Sequence, residues 1–236
     1  MKLWRFLISV EFCLGLLALV CVVMAAGSFS LSGDYAASIN GMPLFAWLRE
    51  TPASVAWWLW ITLVLLALLA LNTVLCSGET LWSRWGKSGW SALLAPQLMH
   101  AGFLLIVCAH LLSALGSSLN SIVVTEMSLA ALPNGNKFGV AAISVTATPQ
   151  GMPIGFSSEL VPDINKPTER VVISPNHPWF SNGFGVYIKQ AEAFPLKRAL
   201  FEIHREPGAS MALAGSLLFT VGNVLLLVIR SKREDV

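Results

Sequence analysis

Four runs of this sequence are apolar enough to cross a bilayer, which takes about 20 residues of helix. They fall at about 6–26, 55–76, 97–117 and 209–229. Backbone in hydrocarbon must satisfy its own polar groups, so each run is expected to be a helix. The composition agrees: of 236 residues, 55% are hydrophobic and only 12% charged. The net charge of +2 is too small to suggest nucleic acid as a partner.

Between the third and fourth runs the pattern changes. Residues 118–208 have mixed polarity, many prolines and short alternating stretches. Period-two or β-branched runs at 121–127, 138–148, 169–174, 185–191 and 198–204 read as strands. Turn chemistry separates them at Pro133-Asn134-Gly135-Asn136, Pro149-Gln150-Gly151, Pro175-Asn176-His177-Pro178 and Ser181-Asn182-Gly183. The expected fold is an integral membrane protein with four transmembrane helices. A mainly-β extracytoplasmic domain, a small antiparallel sandwich or open barrel, is inserted between helices three and four. The divisions are 1–117, 118–208 and 209–236.

The first run resembles a signal peptide in its basic start, Met1-Lys2-Leu3-Trp4-Arg5, and its small residues Ala25-Ala26-Gly27. Its length and the interior Glu11 favour retention as a span. Glu11 is expected roughly 10 Å inside, where a carboxylate needs a partner or a proton. Lys2, Arg5, Arg84, Lys87, Arg230, Lys232 and Arg233 all flank one side of the four spans, and Arg49 the other. The positive-inside rule then puts both termini in the cytoplasm and 118–208 outside.

Trp57, Trp58 and Trp60 open the second span, and Trp82, Trp85 and Trp90 mark the hairpin to the third. Tryptophans at both boundaries form an anchoring belt; the outer trio is also a candidate aromatic platform for a porphyrin. Residues 44–48 read as a short amphipathic segment at the interface. The four cysteines, Cys13, Cys21, Cys76 and Cys108, lie in or beside spans. A disulfide framework in the β domain is excluded, no CxxC exists, and a dithiol oxidase has no paired outer cysteines.

The candidate chemistry lies in the four histidines. His100 and His110 are in the third span, where an ionisable ring is costly and usually functional. Ligation of a metal or haem iron is one such function. Ten residues of helix separate them by about 15 Å and turn them about 80° apart, so one iron cannot take both. The other three spans hold no histidine. A haem at His100 therefore needs its second axial ligand from elsewhere. His177 stands on a turn and His204 just before the fourth span; both are candidate cofactor-binding residues. No Ser/His/Asp signature, nucleotide-binding glycine loop or carboxylate-rich metal site is present.

Several ordered fragments carry a family resemblance. They are Pro43-Leu44-Phe45-Ala46-Trp47-Leu48; Asn72-Thr73-Val74-Leu75-Cys76; His100-Ala101-Gly102-Phe103-Leu104-Leu105, with Gly116 beyond; Asn176-His177-Pro178, then Gly183 and Val186-Tyr187-Ile188-Lys189-Gln190; and Arg205-Glu206-Pro207-Gly208 followed by Gly215 and Gly222. In this order, across nearly the whole chain, they resemble ResB, the four-span subunit of system II cytochrome c biogenesis. The β domain is shorter than the family's, and His110 lies outside the matched motif.

The resemblance implies transient haem b, with His100 as one axial ligand near the inner side. It implies a CcsA/ResC-like multispan partner that supplies the other ligand, and an apocytochrome c as recipient. It implies the bacterial cytoplasmic membrane, and at most one component of a cytochrome c synthetase (haem lyase). Two other readings stay open: a haem b electron-transfer subunit of a membrane oxidoreductase, and a haem-free structural assembly factor.

Overall fold

A computed structural model of the chain describes residues 2–86, 90–148 and 153–234. Lys87 and the turn Pro149-Gln150-Gly151 lie outside them, and of Lys232 and Arg233 only the backbone is described. The elements are helices α1 (Lys2–Leu7), α2 (Val10–Ser30), α3 (Gly33–Ser38), α4 (Leu44–Glu50), α5 (Ala53–Arg84) and α6 (Trp90–Gly116). Strands β1 (Ser118–Thr125), β2 (Ser128–Ala131), β3 (Lys137–Ala147), β4 (Pro153–Val161), β5 (Val171–Ile173), β6 (Trp179–Ser181), β7 (Phe184–Glu192) and β8 (Arg198–Arg205) follow, and α7 (Ala209–Glu234) closes the chain. They form a helical unit (Met1–Ile39, Pro43–Leu115, Pro207–Val236) and a β unit (Asn40–Met42, Gly116–Glu206).

Four helices of the first unit are long and apolar enough to cross a membrane: Val10–Ser30, Ala53–Arg84, Leu93–Gly116 and Ala209–Ser231. They pack as two antiparallel pairs. In the first pair, Gly27 of α2 lies under the ring of Trp58 on α5, where any Cβ would collide with the indole. At the other end, buried Asn72 of α5 donates from Nδ2 to the carbonyls of Leu7 (2.6 Å) and Ser9 (3.5 Å). Those carbonyls flank the break between α1 and α2: the Ser9 carbonyl already accepts from the Cys13 N–H at 3.3 Å, so the amide chiefly serves the Leu7 carbonyl. Ser9 caps α2 by accepting from the Phe12 N–H at 3.1 Å. The break moves the start of the first span to Val10. Glu11 therefore stands exposed in the first turn of α2 rather than deep in the span, near the positive end of the helix dipole.

The second pair is α6 and α7. Ala95 and Met99 meet Gly222, Gly102 and Ile106 meet Gly215, and Ala109 and Ser113 meet Gly208. The contacts advance by one heptad on each helix and in opposite directions, a seam of small residues that brings two backbones together. A Cβ on Gly102 would sit 2.5 Å from the Phe219 nitrogen and 2.6 Å from the Gly215 oxygen. The segment expected at 44–48 is helix α4, with Trp47 and Leu48 buried and Trp47 Nε1 donating to Ser38 Oγ at 3.1 Å.

The β unit is two antiparallel four-stranded sheets, ordered β1-β8-β7-β6 and β2-β3-β4-β5. Their inner faces share a core that includes Phe138, Val140, Ile143, Leu160, Ile173, Val186, Phe201 and Ile203. The first strand pairs with the last without a register shift, from Ser118 opposite Arg205 to Thr125 opposite Arg198. Strands β2, β4 and β6 were not expected from the sequence. In β4, Pro153, Gly155 and two serines hide the pattern, yet the strand is central, and buried Ser158 donates to the Ala142 carbonyl at 2.9 Å.

Candidate functional site

His100 sits on α6, half-buried, with its Nδ1 2.7 Å from the hydroxyl of Ser77 on α5. The contact joins α5 to α6. A bond at Nδ1 sets the ring's tautomer and orientation, as the outer partner of a ligating histidine does. Among the described residues Nε2 has no partner. Nε2 is the ring nitrogen remote from the backbone, and so the sterically open one.

One helical turn before His100, Gln97 Nε2 is buried without a hydrogen-bond partner, as is Trp58 Nε1 on α5. Trp58 is 4% exposed and turned onto Gly27, whereas Trp57 and Trp60 are exposed. The expected outer aromatic platform is therefore not a single surface. At the other end of the unit Trp82, Trp85 and Trp90 are exposed, with the Trp85 and Trp90 rings edge to face at 5.8 Å.

His110 is exposed on α6. His177 is exposed on the turn closed by backbone hydrogen bonds between Ser174 and His177, where Asn176 takes the left-handed conformation (φ 65°). His204, half-buried on the outer face of β8, is bound through Nε2 to Glu202 Oε2 at 3.0 Å. The Tyr187 ring lies 4.8 Å from its own, and Phe180 lies 6.2 Å beyond Tyr187. Gly185 makes room for those two rings; a Cβ there would come within 3 Å of both. Lys189 Nζ lies 3.1 Å from the same Glu202 oxygen. Burial pushes the Glu202 carboxyl up, but hydrogen bonds from His204 and Lys189 and their charges outweigh it and hold it below the usual carboxylate range.

The two half-buried histidines are thus held in opposite senses: His100 presents Nε2 and His204 presents Nδ1, which is crowded by its own Cβ. His100 and His110 share one helix, and His177 and His204 lie in the β unit. Among the described residues no group of three or more His, Cys, Asp or Glu side chains is placed to hold a metal ion. The cysteines are free. The helical unit thus offers one half-buried imidazole with an unpartnered Nε2, His100, and no second imidazole opposite it among the described residues.

Ser77, Glu202, Tyr187 and Lys189 were missed as site residues by sequence reasoning. The signal for Ser77 was present in Cys76-Ser77-Gly78, where the second apolar run turns small and polar. For Glu202 it was the two-residue spacing to His204, which places both on one face of a strand.

No known protein-family model matches this sequence, and no curated protein matches it. Among solved structures, "Cytochrome c Heme Lyase CcmF" aligns with 89% of this chain and 34% of its own length, at 14% identity and a TM-score of 0.46. The chain thus spans about a third of that protein.

Proposed function

We propose that this protein is a ResB-like subunit of a membrane haem-export and cytochrome c assembly complex. The observation that carries the reading is the Ser77–His100 pair: an intramembrane imidazole fixed through Nδ1, with Nε2 unpartnered and no second histidine facing it. Such a ring is half of a coordination site. Haem, when bound, supplies an apolar macrocycle and an iron with axial positions for neutral imidazole. His100 would hold the iron, Ser77 would orient the ring through Nδ1, and a CcsA/ResC-like partner would supply the further ligand.

Further support comes from the layout. Antiparallel packing brings the start of α2, the end of α5, the start of α6 and the end of α7 to one end of the helical unit. Arg5, Arg84 and Arg230 belong to that end, which the reading assigns to the cytoplasm. The β unit is then extracytoplasmic, where an apocytochrome c receives its haem.

Co-expression with the partner, followed by absorbance of the purified complex, tests the reading. His100→Ala is expected to abolish most of the haem signal while the two proteins still co-purify. Ser77→Ala is expected to lower it by about tenfold, the usual scale for loss of a group that orients a ligating histidine. Undiminished haem in the His100→Ala complex refutes the assignment. A bis-histidine spectrum from this chain alone returns it to a haem b electron-transfer subunit.

A further inference from the structure

The β unit has four sheet edges, and they are unlike one another. Strand β2 has four residues, β5 three and β6 three. Edges that short cannot template much pairing, which is how native sheets commonly protect themselves. Strand β1 is the exception. It is eight residues long, Ser-Leu-Asn-Ser-Ile-Val-Val-Thr, with no charge and no proline, and its register with β8 carries no bulge. Within the strand itself there is no charge, proline or bulge to blunt the edge.

The direction of its free groups follows from the ladder. Just past β1 the Glu126 N–H donates to the Lys197 carbonyl at 3.3 Å. Bonded and non-bonded pairs alternate along an antiparallel ladder. The bonded pairs are therefore Val124–Ala199, Ile122–Phe201, Asn120–Ile203 and Ser118–Arg205. Leu119, Ser121, Val123 and Thr125 turn their N–H and C=O away from β8. The Thr125 carbonyl does accept from outside the ladder, from Ser128 Oγ at 2.6 Å. No hydrogen bond to the backbone of Leu119, Ser121 or Val123 is found among the described residues. Ser121 and Val123 are exposed, Val123 at 67%.

We propose that the open edge of β1 is a docking site for an extended, unfolded polypeptide segment, which adds as a fifth strand beside Leu119, Ser121 and Val123. Alternating backbone donors and acceptors are matched in geometry by another backbone, and pairing of this kind does not depend on the added sequence. The side chains next to the edge suit such a guest. Val123 and Leu200 line a shallow groove with Gln190 and Ala191, and Met127 and Leu196 stand exposed beyond it. Two nearby ion pairs, Lys197–Glu126 and Arg198–Glu192, are internal to the unit. A second copy of the chain is the weaker fit. An eight-residue edge is about 26 Å long and a sheet layer about 10 Å thick, a small fraction of the roughly 1,200–2,000 Å² that a stable dimer buries.

This inference rests on the proposed function only in the choice of an apocytochrome as probe. Hydrogen exchange is followed by mass spectrometry on the full chain in lipid nanodiscs. The additions are reduced haem-free cytochrome c polypeptide or, separately, a reduced and carboxymethylated unrelated protein. Saturating polypeptide is expected to slow exchange in 118–125 about tenfold, the factor that corresponds to 1.4 kcal/mol of pairing. Val123→Pro removes an N–H that the β1–β8 ladder does not use, and Val123→Lys adds an edge charge; both are expected to abolish the slowing. Unchanged exchange in 198–205 reports that the sheet is intact in each variant.

No slowing with either polypeptide overturns the proposal. So does slowing that survives in both variants, or slowing that rises with chain concentration when no polypeptide is added. Slowing by the unrelated polypeptide but not by the apocytochrome upholds the edge and counts against the haem-assembly reading. Loss of haem without loss of slowing in His100→Ala shows that the two are separate.

Discussion

Which nitrogen of a histidine is held decides what the other can do. His100 and His204 are both half-buried and both hydrogen-bonded, but through opposite ring atoms. Little of this was legible in the sequence. An imidazole in an apolar run marks itself by its cost, so His100 stood out; the hydroxyl that orients it comes from another helix, and although Cys76-Ser77-Gly78 marks a polar break in that run, nothing in it says which ring the serine meets. At the His204 cluster the charges give a pH dependence. The Glu202 carboxyl stays ionised to lower pH folded than unfolded, against the pull of burial, because His204 and Lys189 donate to it. Glu126, held chiefly by the Ile143 backbone N–H and by Lys197, is shifted the same way. A depressed carboxyl contributes stability that is present above its unfolded value and lost as pH falls through the folded one. The β unit is thus expected to melt at progressively lower temperature as pH drops below the ordinary carboxylate range, and Glu202→Gln to flatten part of that slope. Thermal melts followed by circular dichroism between pH 7 and 3 check this; a parallel slope in the variant would remove Glu202 from the account.

The helices differ in how they find each other. Apolar length alone marks four of them as long and apolar enough to cross a membrane. It does not say which helices pair, since lipid-facing and helix-facing residues are equally apolar. The pairing lies in exceptions: Gly27 under Trp58, Asn72 on the α1–α2 break, and the heptad of small residues between α6 and α7. The Gly102, Gly215 and Gly222 positions had been picked out by resemblance, and their physical reason is this seam. Gly102→Leu drives a side chain into the Phe219 and Gly215 backbone, which cannot yield as a flexible side chain does. Overpacking of this kind costs about 1–3 kcal/mol or more. Cysteines placed at facing positions of the seam in a cysteine-free background are expected to cross-link in the parent and not in Gly102→Leu. Equal cross-linking would show that the helices pair elsewhere.

At the scale of the whole chain, the β unit is a long insertion between two spans, and its topology explains how the insertion is tolerated. Strand β1 follows α6 and β8 precedes α7, and the two strands pair along their full length. The points where the chain enters and leaves the unit, Ser118 and Arg205, are therefore ladder neighbours. A domain whose ends meet can be inserted into another or cut out of it with little loss of contact. Its core draws Phe138, Ile143, Leu160, Val186 and Phe201 from both sheets, and no disulfide contributes to it, since all four cysteines lie in the helical unit. Residues 116–206 expressed alone are expected to be a folded β protein with one cooperative unfolding transition, although the excised piece lacks Asn40–Met42 of the unit. Far-ultraviolet circular dichroism and urea unfolding test it. Phe201→Ala in the excised piece is expected to cost about 3–5 kcal/mol as a buried aromatic truncation. A piece that is unfolded in buffer but folded in the full chain would mean that the sandwich draws its stability from the helices, and that inserted topology is not sufficient for independence.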